Sequence, residues 1–296
     1  MTATVERLLI TEPGLYDIPD DVYHSDPVPG GSLSSSAAKR LLAPSCPAIF
    51  QYERTHARAP KAVFDVGHAA HKLVLGSGPE LREIPEEYLA TNGAASTTEA
   101  KGFIKQARAD GAIPLKTAEF QQVHEMARAI KAHPVASALL NPAAGKPEQS
   151  LFWVDEESGI WRRARLDWLP NRVPGRRTII PDYKTARSAE PAAFAKAAAD
   201  LGYHQQHAWY LDAVDALDLA EPAPAFVFIV QEKTAPYVVS VVELDSTAEN
   251  IGRRLNRKAI NTYAECTRTD TWPGYSTDVE LVSLPIWYEN RIEDSL

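Results

Sequence analysis

The sequence predicts an α/β fold, a central mixed β-sheet flanked by helices and interrupted by a helical insert. Three observations lead there. Over 296 residues, 45% are apolar and 24% charged, an ordinary globular balance with enough apolar material for a sizeable core. The apolar period changes along the chain, from helical spacing before Gln149 to alternation after it. The later half then orders its elements as three strands, a helix, two strands and a helix, which implies a sheet covered by helices.

Taken in order, residues 1–60 carry turn chemistry and short helices. The run Pro27-Val28-Pro29-Gly30-Gly31 precedes Ser34-Ser35-Ser36, which caps a helix from Ala37 to Leu42 that Pro44 stops. This stretch reads as an N-terminal arm packed on something larger. Between Phe64 and Leu75, the residues Phe64, Ala70, Leu73 and Val74 share one helical stripe, ended by Gly76-Ser77-Gly78. Two helices follow, one opening with the capping box Ser96-Thr97-Thr98-Glu99 and one running from Ala118 to Ala132 and closed by His133-Pro134. They form a helical insert, 79–147, without a chemical motif. From Gln149 a hairpin turns at Glu157-Ser158-Gly159, and Arg177 to Lys184 reads as a third consecutive strand. Pro191 sits at a helix N1 position, and an alanine-rich helix then runs to about Ala216 with a break expected at Gly202. Strands at 225–231 and 237–244 precede a last helix that opens with Ser246-Thr247-Ala248-Glu249 and reaches about Thr267. The organisation is therefore an arm (1–60), a core (61–270) that includes the insert, and a C-terminal tail (271–296). In the tail, Leu284, Ile286, Trp287 and Tyr288 form an apolar anchor that either docks elsewhere or folds back on the chain's own core.

Composition excludes several function classes. No window reaches the ~18 uncharged apolar residues of a membrane span, and the N-terminus lacks the basic, apolar and small-residue pattern of a signal peptide. A cytoplasmic protein with no membrane partner is expected. Two cysteines, Cys46 and Cys266, are too few for a disulfide framework, a zinc ribbon or an iron–sulfur cluster, so any metal uses oxygen and nitrogen ligands. A net charge of −8 argues against a purely electrostatic nucleic-acid binder but leaves a nuclease open. Charge is uneven: Trp161 to Arg187 is locally +6, with Arg162, Arg163, Arg165 and Arg187 flanking Asp167 and Asp182. A basic band enclosing two acids suits a phosphodiester-binding metal site, and a solvated arginine-rich hairpin is the plainer alternative.

Asp182 and Lys184, two apart on a strand, point to one face. That pairing suits metal-dependent phosphodiester hydrolysis, the carboxylate holding a cation and the lysine orienting or deprotonating water. The same spacing at Glu99-Ala100-Lys101 shows that a surface ion pair is the alternative. Asp167, on the preceding strand, comes within reach of Asp182 if the strands are neighbours; a salt bridge to Arg163 or Arg165 is its other reading. His71 follows Gly67 by one helical turn and could complete a metal site, although a lone helical histidine is commonly a packing or surface residue. Tyr203, Gln206 and Tyr210 form a hydrogen-bonding stripe that could serve a phosphate or the lysine, or an aromatic core.

Together, Gly67-x-x-x-His71, Asp167, Asp182-x-Lys184 and Gln206-x-x-x-Tyr210, on helix, strand, strand and helix, resemble the RecB-type branch of the PD-(D/E)xK nucleases. Tyr23-His24, the segment Ser34 to Lys39 and the run Phe228 to Tyr237 resemble, more narrowly, the exodeoxyribonuclease VIII (RecE-like) and phage recombination exonucleases. The likeness covers most of residues 15 to 265. Leucine precedes Asp167, where the family has its first Pro-Asp, and the lack of clustered cysteines separates the chain from Cas4-like and AddB-like relatives. The resemblance implies a restriction-endonuclease-like core and Mg²⁺- or Mn²⁺-dependent hydrolysis of DNA. By it, His71, Asp167, Asp182 and the Tyr183 carbonyl would be metal ligands, Lys184 would activate water, and Gln206 and Tyr210 would support the site. It also implies double-stranded DNA ends as substrate, 5′-strand resection, a ring of several copies and a single-strand annealing partner. An endonuclease, an accessory nuclease of a helicase complex and a catalytically silent DNA-end-binding protein are the competing readings. The intact acid, acid, lysine set argues against the last.

Overall fold

A computed structural model describes residues 8–56 and 65–294. Phe64, expected in the first core helix, and the first seven residues lie outside them. The arm contributes strands as well as helices: β1 (Gly14–Tyr16), α1 (Asp20–His24), β2 (Leu33–Ser34), α2 (Ser35–Arg40) and α3 (Pro47–Thr55). Ser34 caps α2, its hydroxyl accepting from the Ala37 N–H at 3.2 Å. The first core helix, α4, spans Asp65–Leu75.

The insert is less purely helical than expected. It holds β3 (Leu81–Glu83), α5 (Thr98–Ala109), β4 (Ile113–Leu115), α6 (Thr117–Ala132) and α7 (Pro134–Leu139), with β3 and β4 paired in parallel. Thr97, not Ser96, caps α5, accepting from the Ala100 N–H at 3.0 Å. The insert packs into the molecule: Leu115, Val123, Met126 and Ile130 join Ala69 and Ala70 of α4 in one buried cluster with Trp168, Tyr183 and Ile229.

The hairpin β5 (Gly145–Val154) and β6 (Trp161–Pro170) is antiparallel, and its turn is closed by Asp155, which accepts from both the N–H and the hydroxyl of Ser158. Then come β7 (Ile179–Ala186), α8 (Pro191–Leu201), α9 (Tyr203–Ala216), β8 (Ala225–Glu232), β9 (Val239–Glu243), α10 (Ser246–Thr269) and α11 (Ile286–Glu293). The break between α8 and α9 is Gly202, at φ +66°, a left-handed conformation that glycine adopts without Cβ strain. Asp245 caps α10 by accepting from the Ala248 N–H at 2.8 Å, one residue before the expected Ser246. This leaves Glu249 to pair with Arg253.

The sheets are mixed and flanked by helices, as a restriction-endonuclease-like core requires, but β5, β6 and β7 do not form one continuous ladder. One sheet runs β1-β5-β6-β2 and another β7-β8-β9, the β7–β8 pair being parallel and β8–β9 antiparallel. Instead of a ladder, the Asp167 carboxylate on β6 accepts from the Tyr183 N–H of β7 at 2.7 Å. A side chain does there what a backbone carbonyl would do in a paired strand.

On the other face, α9 and α10 pack against the strands around Trp153, Trp209, Phe226, Phe228 and Tyr263. The two helices cross so closely that a Cβ on Gly252 would lie 2.0 Å from the His204 carbonyl oxygen. The C-terminal tail follows the body as far as Tyr275, whose hydroxyl donates to the Pro44 carbonyl at 3.1 Å. Beyond it Val279, Leu281, Val282, Leu284, Ile286 and Trp287 are exposed, so among the described residues this part of the tail does not fold back onto its own core. Among the described residues, no helix is long and apolar enough to cross a membrane.

Candidate active site

Where β6, β7, α4 and α9 meet, the residues singled out by spacing come together. Asp182 on β7 is 1% exposed, and one of its oxygens accepts from Gln206 Nε2 of α9 at 2.7 Å. The other faces the Lys184 ammonium, so the predicted pair on one strand face is present. Lys184 Nζ also lies 5.5 Å from the Tyr203 ring centroid. Asp167, held by the Tyr183 amide, is 3.1 Å from His71 Nε2 of α4. A Cβ on Gly67 would sit 3.4 Å from Thr185 Oγ1, so this position keeps α4 close to β7. Tyr210, one turn after Gln206, lies against it and packs edge-on to Phe226. The Tyr183 side chain points the other way, its hydroxyl donating to Gln231 Oε1.

Burial sets the electrostatics. It pushes the Asp182 carboxyl up to about 6, with the nearby Asp167 charge adding and Lys184 opposing. Burial acts on Asp167 too, but His71, Lys184 and the Tyr183 amide outweigh it and hold that carboxyl below its ordinary value. Lys184 moves upward: burial favours the neutral amine, and the two aspartates more than offset it. Lys184 is therefore an ammonium here. His71 is raised to about 10, burial being overcome by Asp167 and Glu148.

Among the described residues, no group of three or more His, Cys, Asp or Glu side chains is gathered so as to hold a metal ion. Each aspartate instead faces a protein cation. The donor chemistry nonetheless fits a hard divalent ion, since two carboxylates and an imidazole, oxygen and nitrogen donors, converge beside α4.

The β6 part of the basic band does not face outward, whereas Arg172, Arg176 and Arg177 beyond it are exposed. Arg162 is 4% exposed, stacks on Trp209 and Trp153 with its guanidinium 4.0 and 4.7 Å from the ring centroids, and pairs with Asp212 at 3.1 Å. Arg163 binds Asp26 at 2.6 Å and the Ser32 carbonyl at 2.8 Å. Arg165 binds Glu148 at 2.7 Å, Ser150 Oγ at 2.7 Å and the Ile18 carbonyl at 3.0 Å. All three guanidinium groups are thus engaged by protein partners and not free on the surface, as DNA contacts were expected to be. The arm covers one face of β6 and α9 the other, and guanidinium groups enclosed there must be paired. Arg187, just past β7, is exposed and has no acidic partner among the described residues. Positive surface is found instead on α10, where Arg253, Arg254, Arg257 and Lys258 line an open groove of about 750 Å³.

Two residues near the site escaped the sequence reading. Lys39 of α2 donates to the Leu201 carbonyl at 3.1 Å and lies 5.6 Å from the Tyr203 ring centroid; burial, with Lys184 nearby, lowers its ammonium to about 8. Glu148 of β5 reaches His71 Nδ1 at 3.2 Å. No periodicity marks either, though Lys39 closes the serine-rich segment that carried part of the resemblance.

Residues 34–285 match the family described as PDDEXK-like domain of unknown function (DUF3799). No curated protein matches the chain. Among solved structures, a proposed exonuclease from Eubacterium rectale superposes with a TM-score of 0.59 at 12% identity, over 93% of this chain and 98% of that one. At that identity the likeness speaks for the fold alone. The family match takes in both aspartates, Lys184 and the supporting α9 residues, and the chain belongs to the PDDEXK-like DUF3799 family.

Proposed function

We propose that this protein is a divalent-metal-dependent deoxyribonuclease that degrades linear double-stranded DNA from its ends, removing the 5′ strand, and that it serves homologous recombination. Family and fold support a nuclease. The observation that carries the reading is the meeting of Asp167, Asp182 and Lys184 at one buried point, with Gln206 fixing Asp182. Asp167, Asp182, His71 and the Tyr183 carbonyl are the groups that would hold Mg²⁺ or Mn²⁺, which when bound would polarise the phosphate and lower the pKa of water. The rest falls to the chain. Lys184, as an ammonium, orients the attacking water and offsets the charge that grows on the phosphate oxygens. Gln206 donates to Asp182 Oδ1, and Oδ2 faces Lys184, the oxygen that a bound cation would share with the ammonium. Against burial, His71, with Lys184 and the Tyr183 amide, holds the Asp167 carboxyl below its ordinary value, and the amide fixes its direction. Arg187 and the free α10 cations, Arg254 and Lys258, are the exposed groups suited to hold backbone phosphates. A ring of several copies and a single-strand annealing partner rest on the resemblance, and the exposed apolar tail supports assembly.

The test uses linear duplex labelled at the 5′ or the 3′ end, beside covalently closed circles, with Mg²⁺ or Mn²⁺. Early release of 5′-labelled mononucleotides and intact circles are expected. Cleaved circles would replace the exonuclease by an endonuclease, and no product with either metal would remove the enzymatic reading.

A further inference from the structure

Glu148 stands in an unusual place. It lies inside β5 with φ +55°, a left-handed backbone angle that is uncommon for a residue with a side chain. Its neighbours Pro147 and Gln149 pair with Trp168 and Leu166 of β6, which puts Glu148 directly opposite Asp167. Cross-strand partners share a sheet face. Both carboxylates reach the same imidazole from opposite sides: Glu148 Oε1 is 3.2 Å from His71 Nδ1, and Asp167 Oδ2 is 3.1 Å from Nε2. The second Glu148 oxygen is held by Arg165 Nε at 2.7 Å, and Arg165 is itself anchored on Ser150 and Ile18. The chain of contacts runs from the arm through Arg165, Glu148 and His71 to Asp167 and the Tyr183 amide.

We propose that Glu148 is a positioning residue that acts through His71, its carboxylate accepting the hydrogen bond of the Nδ1–H so that Nε2 is the nitrogen turned toward Asp167 and toward a metal ion. A histidine ligand needs its second nitrogen fixed, because the ring otherwise turns and either tautomer can form. Uncommon backbone angles persist where the surrounding structure holds them, and here one delivers a carboxylate to that nitrogen. The inference rests on the metal-dependent reading above.

The experiment is calorimetric titration of the metal-free protein with Mn²⁺, comparing wild type, Glu148→Ala, Glu148→Gln, His71→Ala and the Glu148→Ala/His71→Ala double variant. Loss of an outer partner of this kind weakens metal affinity ~10–100-fold, and that loss is expected for Glu148→Ala. The double variant should bind no more weakly than His71→Ala, since a residue acting through another has nothing left to act on. Glu148→Gln keeps the side-chain volume and an acceptor oxygen and should recover most of the affinity. Wild-type affinity in Glu148→Ala, full additivity in the double variant, or Glu148→Gln as weak as Glu148→Ala would each overturn the proposal. Wild-type protein that binds no Mn²⁺ would instead remove the metal-dependent reading itself.

Discussion

At the scale of the residue, Asp182 and Lys184 are held by more than each other. Gln206 donates to one carboxylate oxygen, Lys184 covers the other, and the Tyr203 ring backs the ammonium. Burial makes this pair costly to split, because a lone charge left in an enclosed site keeps its desolvation penalty without its partner. Lys184→Ala is expected to abolish cleavage of linear duplex, by 10²-fold or more on the scale of lost transition-state charge stabilisation, with secondary structure by circular dichroism unchanged. Near wild-type turnover at saturating Mg²⁺ would return the tripeptide to a structural ion pair.

At the scale of the element, the β5–β6 turn and α10 are tied together by one carboxylate. Asp155 accepts from Ser158 within the turn and from Arg257 on α10 at 2.8 and 2.9 Å. Burial pushes its carboxyl up, but the Arg257 and Ser158 hydrogen bonds outweigh burial and hold it below the ordinary value. A carboxyl lowered by folding stabilises the protein above its unfolded pKa of about 3.9, and that contribution is lost as pH falls through the folded value. Asp155→Asn is therefore expected to cost roughly 2 kcal/mol at pH 7, the size of a charged hydrogen bond, and less as the pH approaches 3. Thermal melts of both proteins from pH 7 to 3 measure it, and a constant gap would mean the carboxylate contributes no pH-dependent stability.

The same helix carries the exposed charge. Arg253 is committed to Asp212 and Glu249, and Arg257 to Asp155, whereas Arg254 and Lys258, one turn apart, are exposed and have no acidic partner among the described residues. If they hold backbone phosphates, Arg254→Glu/Lys258→Glu should weaken binding to duplex DNA in EDTA. The slope of log affinity against log salt should fall by about 1.8, or about 0.9 for each lost phosphate contact. Fluorescence anisotropy across a salt series reads both, and an unchanged slope would clear α10 of contact with DNA.

At the scale of the whole molecule, the tail is the outstanding feature. After Tyr275 the chain leaves the body; Leu281 is 99% exposed, and its apolar neighbours Val279, Val282, Leu284, Ile286 and Trp287 are exposed too. Exposed apolar residues this close in sequence suit an interaction surface. If the protein holds duplex DNA as proposed, its net charge of −8 favours enclosure, and a closed ring would place its cationic surface toward one channel. Light scattering is expected to give a multiple of the 32.5 kDa chain mass, and removal of residues 284–296 to lower it. A monomer at micromolar concentration would exclude the ring, and an unchanged oligomer after truncation would clear the tail.

The sequence alone determined most elements of the core and singled out Asp167, Asp182, Lys184, His71 and Gln206, residues that the fold brings together. Period and punctuation placed the hairpin, the Gly202 break and the buried strand 225–231, because these depend on local chain chemistry. The caps Thr97 and Asp245 each lie one residue from the predicted Ser96 and Ser246, since adjacent capping residues compete and packing selects between them. Only tertiary structure decided which way the charges face. The run from Arg162 to Arg165 has the same composition whether it points to solvent or inward, and the arm and α9, distant in sequence, cover both faces of β6. Glu148 was invisible for the same reason. Its role comes from its register opposite Asp167 and from its turned backbone, and neither leaves a trace in residue type or spacing.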